Sequence, residues 1–175
     1  MTTEQKQVKD FMLAFGQEVK DKPELPSEEV RKLRAILILE EAIECIEALG
    51  FRVRAEDQEY SRFELVPDEE PCLVKLADGL ADLHYVAYCG TGLACGLDME
   101  RVFEEVHESN LTKLWTGNEV FKASTDEAWS EAHRQYMIAL GCVDYDTRAI
   151  LVTRLDGKVI KSPSYKPPNL NWLLK

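Results

Sequence analysis

Two separated runs, Leu37-Ile38-Leu39-Glu40-Glu41-Ala42-Ile43-Glu44 and Leu76-Ala77-Asp78-Gly79-Leu80-Ala81-Asp82, each set acids along one side of an otherwise apolar helix. Residues three and four apart are neighbours on a helix surface, so Glu40 and Glu41 each sit beside Glu44, and Asp78 beside Asp82. Such like-charge pairs are unfavourable by roughly 0.2–0.5 kcal/mol each. No Lys or Arg lies four residues away to relieve Glu40, Glu41 or Glu44. Taken alone, the first run is explained equally well by a solvated face. The second demands more. From Leu73 to Leu97 only Lys75, Asp78 and Asp82 carry charge at neutral pH. A helix that apolar is expected to be buried on most sides, where a carboxylate needs a partner. That partner is either an arginine or a cation between the two helices. Together the runs favour a hard divalent cation, which takes oxygen ligands.

The rest of the composition narrows the class. At 175 residues, 45% hydrophobic and 30% charged, the chain suits an ordinary globular domain with a core of its own. No basic, apolar leader opens it, and two aspartates break the apolar stretch after Leu76, so neither a signal peptide nor a membrane span is expected. Five scattered cysteines with no CxxC pair speak for reduced thiols and a cytoplasmic location, with Cys45, Cys89 and Cys95 as core filler. A formal net charge of −11 argues against nucleic-acid or anionic-membrane partners. It would equally repel a polyphosphate, unless bound cations inverted the local potential.

In chain order, residues 4–20 read as a helix with Val8, Phe11, Met12 and Phe15 as its core stripe. After Pro23 and Pro26, Ser27 reads as the N-cap of a second helix, about Glu28 to Leu49, stopped by Gly50. Ile38, Leu39, Ala42, Ile46 and Leu49 are its expected apolar side, opposite Glu40, Glu41, Glu44 and Glu47. Residues 52–71 read as a polar loop holding at most a turn of helix. A third helix starts near Pro71 and carries Gly79, Gly90, Gly92 and Gly96, either for close approach of another helix or to break it over 89–96. Asp98 reads as the N-cap of a fourth helix, about Met99 to Trp115, with His107, Asn110 and Lys113 along a polar edge. Ser124-Thr-Asp-Glu127 is a capping-box pattern for a fifth helix ending at Gly141. Ile150–Leu155 and Lys158–Lys161 flank Asp156-Gly157, a hairpin signal. An extended tail follows from Ser162.

Several chemistries find no support. There is no GxxxxGK[ST] loop, HExxH, GxSxG or EF-hand loop. Glu104-Glu-Val-His107 is a single Glu-x-x-His, where a di-iron bundle wants two. Carboxylates without His ligands suit Mg²⁺ or Mn²⁺ better than zinc. The usual work of such a cluster is to clamp phosphates and activate a water.

Glu40-Glu41-Ala-Ile-Glu44 followed by Asp78-Gly-Leu-Ala-Asp82 resembles the EExxE…ExxD signature of the all-α nucleoside triphosphate pyrophosphatases. That superfamily takes in MazG-like proteins, dimeric dUTPases and phosphoribosyl-ATP pyrophosphohydrolases. Asp78-Gly-Leu-Ala-Asp-Leu-His-Tyr-Val resembles the phosphoribosyl-ATP pyrophosphohydrolase-like branch of bacteria and phages. So do Glu105-Val-His107-Glu-Ser-Asn110-Leu-Thr-Lys113 and Gly157-Lys-Val-Ile-Lys161-Ser-Pro-Ser-Tyr165-Lys-Pro-Pro.

The resemblance implies an all-α, MazG-like helical bundle over residues 1–115 and a C-terminal tail over 156–175 that returns to the active site; residues 116–155 have no counterpart in it and read as an inserted helix and β-hairpin. It implies Mg²⁺, with Mn²⁺ as a substitute, held by Glu40, Glu41, Glu44 and Asp82. One of the three glutamates would be the general base. The family has Glu three residues before the last Asp, where this chain has Gly79, and Asp78 is the nearest replacement. Asn110, Lys113, Lys161 and Tyr165 would meet the nucleotide or its phosphates. The implied reaction is hydrolysis of a (d)NTP to the monophosphate and pyrophosphate by a homodimer or dimer of dimers, as nucleotide-pool housekeeping. Two alternatives stand beside it: a phosphoribosyl-ATP pyrophosphohydrolase, and a non-enzymatic helical assembly protein with a structural cation.

Overall fold

Thr2 begins the fold. In the computed structural model, which describes residues 1–55, 63–125, 136–137, 149–154 and 157–174, its hydroxyl accepts from Gln5 N while Gln5 Oε1 accepts from Thr2 N. That capping box starts α1, Thr3–Ala14. Val8 and Met12 are buried as expected, but Phe11 and Phe15 are exposed. A single helical contact face takes positions one turn apart, and Val8 and Met12 fill it. The phenylalanines are left to stack on each other at 4.4 Å, with Phe11 also edge-on to Tyr85. The helix stops before Gly16 rather than running to residue 20.

Ser27 caps α2, Glu28–Ala48, through its hydroxyl and Val30 N. Gly50 follows at φ +87°, and a Cβ there would lie 2.9 Å from the Glu69 carbonyl oxygen, so glycine is required at this turn. The chain then departs from the expected loop. Phe51–Ala55 (β1) and Phe63–Pro67 (β2) pair antiparallel, with Phe51 opposite Pro67 and Ala55 opposite Phe63. The alternation Phe51-Arg-Val-Arg and Phe63-Glu-Leu-Val carries the period of a strand, which the charge of this stretch masks. Val53, Phe63 and Leu65 of the hairpin share an apolar recess with Leu39, Ala42, Ile43 and Ile46 of α2.

As expected, a helix begins near Pro71: Cys72 is the N-cap of α3, Leu73–Leu83. The run continues as a π-helical segment, His84–Thr91, in which Thr91 Oγ1 donates to the Val86 carbonyl, and then as the single turn α4, Gly92–Ala94. The expected irregularity is therefore present, but it begins earlier, at His84. The long helices run antiparallel in constant register: Cys45 meets Gly79, and Arg34 meets Gly90, the same number of residues apart on each. Arg34, Cys45 and Ala48 are the buried line of α2. Leu39 and Leu49, assigned to its core side, are exposed. The core proper lies elsewhere, where Val8, Met12, Cys89, Leu93 and Ala94 gather with Val30, Tyr85 and Tyr88. Nor is α3 buried on most sides, since Leu73, Val74 and Leu80 are 81%, 79% and 53% exposed. Only Gly79 of that helix is buried, because a glycine line gives a narrow contact.

These elements form one compact unit, Met1–Glu100, and Arg101–Leu173 forms a second. Helix α5, Met99–Leu111, ends short of the expected Trp115. Trp115 is the buried centre of the second unit, packed with Ala123 and Val152. Its indole donates to the Ile160 carbonyl at 3.1 Å. Thr116 and Glu119 make a reciprocal cap for α6, Gly117–Thr125, in a stretch where no helix was expected. Of the helix predicted from Ser124 to Gly141, Ser124 and Thr125 instead close α6 and Tyr136–Met137 are extended, while the rest lies outside the described residues. Tyr136–Met137 (β3) pairs with Thr153–Arg154 (β4). Thr153 bridges Val159, and Ile160 N donates to the Val152 carbonyl, so the chain folds back where the Asp156-Gly157 signal indicated. The molecule is thus mostly helical, with small antiparallel strand pairs added.

Candidate functional site

The antiparallel register of α2 and α3 decides which acids meet. Glu41 falls on the same line of α2 as Arg34, Cys45 and Ala48, the line that faces α3, and is half-buried where Glu40 and Glu44 are exposed. Burial first, then the negative charges of Glu44, Asp82, Glu40 and Asp78, hold its carboxyl above the usual glutamate range. Acids from both helices therefore share one field, centred on Glu41. The same surroundings reach the buried Cys45 thiol, which is pushed up by burial and by Glu41, Glu44 and Asp82.

Among the described residues no ion pair relieves that field. Lys32 is engaged by Glu28 and Lys75 by Glu69, and among the described residues no Lys or Arg pairs with Glu40, Glu41, Glu44, Asp78 or Asp82. The arginine alternative for the second run therefore has no support there. Nor, among the described residues, do three Asp, Glu, His or Cys side chains already stand at ligand spacing around one point. The acids share a field rather than a point. As a donor set they are all oxygen, three on α2 and two on α3, and unpaired with Lys or Arg among the described residues, which is the chemistry that fits a hard divalent cation.

Gly79 explains why the second acid on α3 sits one residue early. A Cβ at Gly79 would lie 3.1 Å from Cys45 Sγ and 3.5 Å from Cys45 N, so this position is taken up by helix–helix contact. Asp78 instead is exposed at a cavity of about 500 Å³ shared with Glu44, Arg52, Asp68 and Lys75. Neither Arg52 nor Lys75 was singled out from the sequence. For Lys75 a signal existed: it precedes Asp78 by three and Asp82 by seven, and so shares their face. For Arg52 none did, because its place depends on the unforeseen hairpin.

The second unit holds the remaining candidates. Lys113 Nζ donates to Asn110 Oδ1 at 2.6 Å. Lys161 Nζ lies 4.2 Å from the centre of the Tyr165 ring. A hydrogen bond from Ser109 Oγ, and the charges of Lys161 and Lys113, hold the Tyr165 phenol below its usual range. The four residues thus form one cationic group. The single Ser109 hydroxyl proton is shared with the Lys166 carbonyl at 2.8 Å, Ser162 Oγ donates to the Thr112 carbonyl, and Lys166 N donates to Thr112 Oγ1. The Ser-Asn-Leu-Thr-Lys motif and the tail motif are two halves of one fastening.

The raised Glu41 carboxyl has a stability consequence. Folding favours its protonated form, so the contribution is fully present below the ordinary value of 4.5 and is lost as pH rises through the raised one. At neutral pH the ionised Glu41, facing Glu40, Glu44, Asp78 and Asp82, works against the metal-free fold. Glu41→Gln is expected to raise the melting temperature in EDTA at pH 7, the gain vanishing below pH 4.5. A midpoint unchanged or lowered at pH 7 would contradict this field.

Compared with known families, residues 8–110 match the model described as phosphoribosyl-ATP pyrophosphohydrolase. That span takes in both acidic runs and Asn110. No curated protein matches the chain. No helix among the described residues is long and apolar enough to cross a membrane.

Proposed function

Because the chain belongs to the phosphoribosyl-ATP pyrophosphohydrolase family, within the MazG-like all-α NTP pyrophosphatase superfamily, we propose that it hydrolyses a nucleoside triphosphate to the monophosphate and pyrophosphate. The observation that supports this is that Glu44, Asp82, Glu40 and Asp78, from two helices, all act on the charge of Glu41, with no Lys or Arg paired to them among the described residues. Glu41, Glu44, Asp78 and Asp82 would hold Mg²⁺ or Mn²⁺, with Glu40 beside them. Bound there, the cation would supply charge to bridge phosphate oxygens and to lower the pKa of a water. Glu41 is the fitting general base, since burial and its neighbours move its carboxyl toward the operating pH. Asn110, Lys113, Lys161 and Tyr165 would bind anionic oxygens of the nucleotide, Lys as a point charge and Tyr165 as a positioned donor.

Phosphoribosyl-ATP as substrate is the second reading, favoured by the name of the matched family and using the same acids. A homodimer fits the exposed Leu73, Val74 and Leu80 of α3 and Leu33, Ile36 and Leu39 of α2, which a second copy would cover. Canonical and modified (d)NTPs and phosphoribosyl-ATP, assayed for pyrophosphate with Mg²⁺ and Mn²⁺, form the test. EDTA is expected to abolish release. Absence of pyrophosphate from every substrate, with EDTA altering only thermal stability, would instead leave a structural cation site.

A further inference from the structure

We propose that Arg52, oriented by Asp68, receives the pyrophosphate end of the substrate in the cavity beside Glu44 and Asp78. This rests on the pyrophosphohydrolase reading and adds to it the direction in which the phosphate chain lies.

The cavity, about 500 Å³, is the right order for two phosphoryl groups with their water, and its polar rim belongs to the acidic site on one side. Its charged lining is five carboxylates, Glu44, Glu47, Asp68, Glu69 and Asp78, and two cations, Arg52 and Lys75. An anion entering so acidic a wall needs fixed positive charge in addition to any bound metal. The two cations differ in how far they are prepared for it. Exposure does not separate them, at 68% for Arg52 and 70% for Lys75, but Lys75 is a flexible point charge only 3.7 Å from Glu69. Arg52 is held as a fork: Nε donates to Asp68 Oδ2 at 3.2 Å and Nη2 to Asp68 Oδ1 at 2.6 Å. Its Nη1 makes no hydrogen bond among the described residues and remains a donor group with its plane already fixed. A pre-oriented guanidinium loses little freedom when it takes phosphate oxygens.

The backbone fixes the same geometry. Asp68 N donates to the Gly50 carbonyl at 2.9 Å, closing the base of the β1–β2 hairpin directly on the end of α2. Gly50 has no room for a side chain there. Arg52 and Asp68 therefore sit at the root of the hairpin, a short way along the chain from Glu44. Arg54, on the same strand, pairs only loosely with Glu64 at 3.9 Å and does not line the cavity.

Titration calorimetry of inorganic pyrophosphate into the full chain in Mg²⁺ tests this. Arg52→Gln is expected to weaken binding by about tenfold or more, the effect of losing charge-assisted hydrogen bonds. Arg52→Lys should fall between, keeping the charge but not the fork, and Arg54→Gln should stay within about twofold of wild type. Circular dichroism checks that the hairpin variants fold. Equal weakening by Arg52→Gln and Arg54→Gln would overturn the assignment, because the effect would then be general charge. So would a wild type that binds no pyrophosphate. Turnover is scored apart: pyrophosphate binding through Arg52 without release from any triphosphate would uphold the site and reject the proposed reaction.

Discussion

Glu41→Gln and Asp82→Asn should each reduce Mg²⁺-dependent pyrophosphate release by at least roughly 10²-fold while leaving helix content unchanged. The scale follows from the metal's share of the chemistry: even outer partners of a ligand typically cost about 10–100-fold, and a ligand that is also the base should cost more. The two substitutions act on different helices, so a shared effect would tie α2 and α3 into one site. They also part company in stability. Glu41 is half-buried among like charges, so its neutralisation should stabilise the metal-free protein as it removes turnover. A residue whose loss raises the melting temperature and abolishes activity is being kept for chemistry rather than for the fold. Asp82 is exposed, and Asp82→Asn should move the melting temperature far less. The measurements are initial rates, circular dichroism and melting with and without Mg²⁺. Undiminished turnover in either variant would remove the catalytic assignment.

How much of this could be seen in the residues depended on whether each signal was local. Ser27 and Gly50 set the ends of α2 through their own hydroxyl and backbone, so α2 is legible almost to the residue. The acids were legible because helical spacing brings Glu41 to Glu44 and Asp78 to Asp82. That they meet across helices was expected from their unrelieved charge, but nothing in either run states the register that Gly79 and Gly90 impose. The hairpin was missed because charged residues alternating with apolar ones in 51–54 and 63–66 look like a polar loop by composition. Burial of α3 was expected from its apolarity, yet Leu73, Val74 and Leu80 are exposed. Apolarity shows that a surface is to be covered. It does not show that the same chain covers it. The tail could be matched only by motif, because its anchors are hydroxyls of Ser109, Thr112 and Ser162 bonded to backbone some fifty residues distant, beyond any local pattern.

Gly79→Glu, which would restore the acid common in the superfamily, is expected to weaken the protein rather than improve it. Two opposing effects decide the sign. Replacing glycine inside a helix gains about 0.5–1 kcal/mol of backbone entropy. Against this, the new Cβ would stand 3.1 Å from Cys45 Sγ with the rest of the side chain still to be placed. Overpacking of that kind costs about 1–3 kcal/mol, and the new carboxylate would join the field that already raises Glu41. The loss should therefore win, visible as a lower urea midpoint in metal-free buffer. Cys45→Ala removes the sulfur that closes the space, so the double variant should recover part of the loss. The resulting coupling should exceed about 0.5 kcal/mol if the two positions are in contact. Manganese binding followed by electron paramagnetic resonance gives the functional side. If Asp78 stands in for the missing acid, Asp78→Asn should weaken Mn²⁺ binding about as much as Asp82→Asn, and Gly79→Glu alone should not strengthen it. A stable Gly79→Glu protein that binds an additional ion would mean that this position remains open toward the acids, and that the contact with Cys45 is not what set the present arrangement.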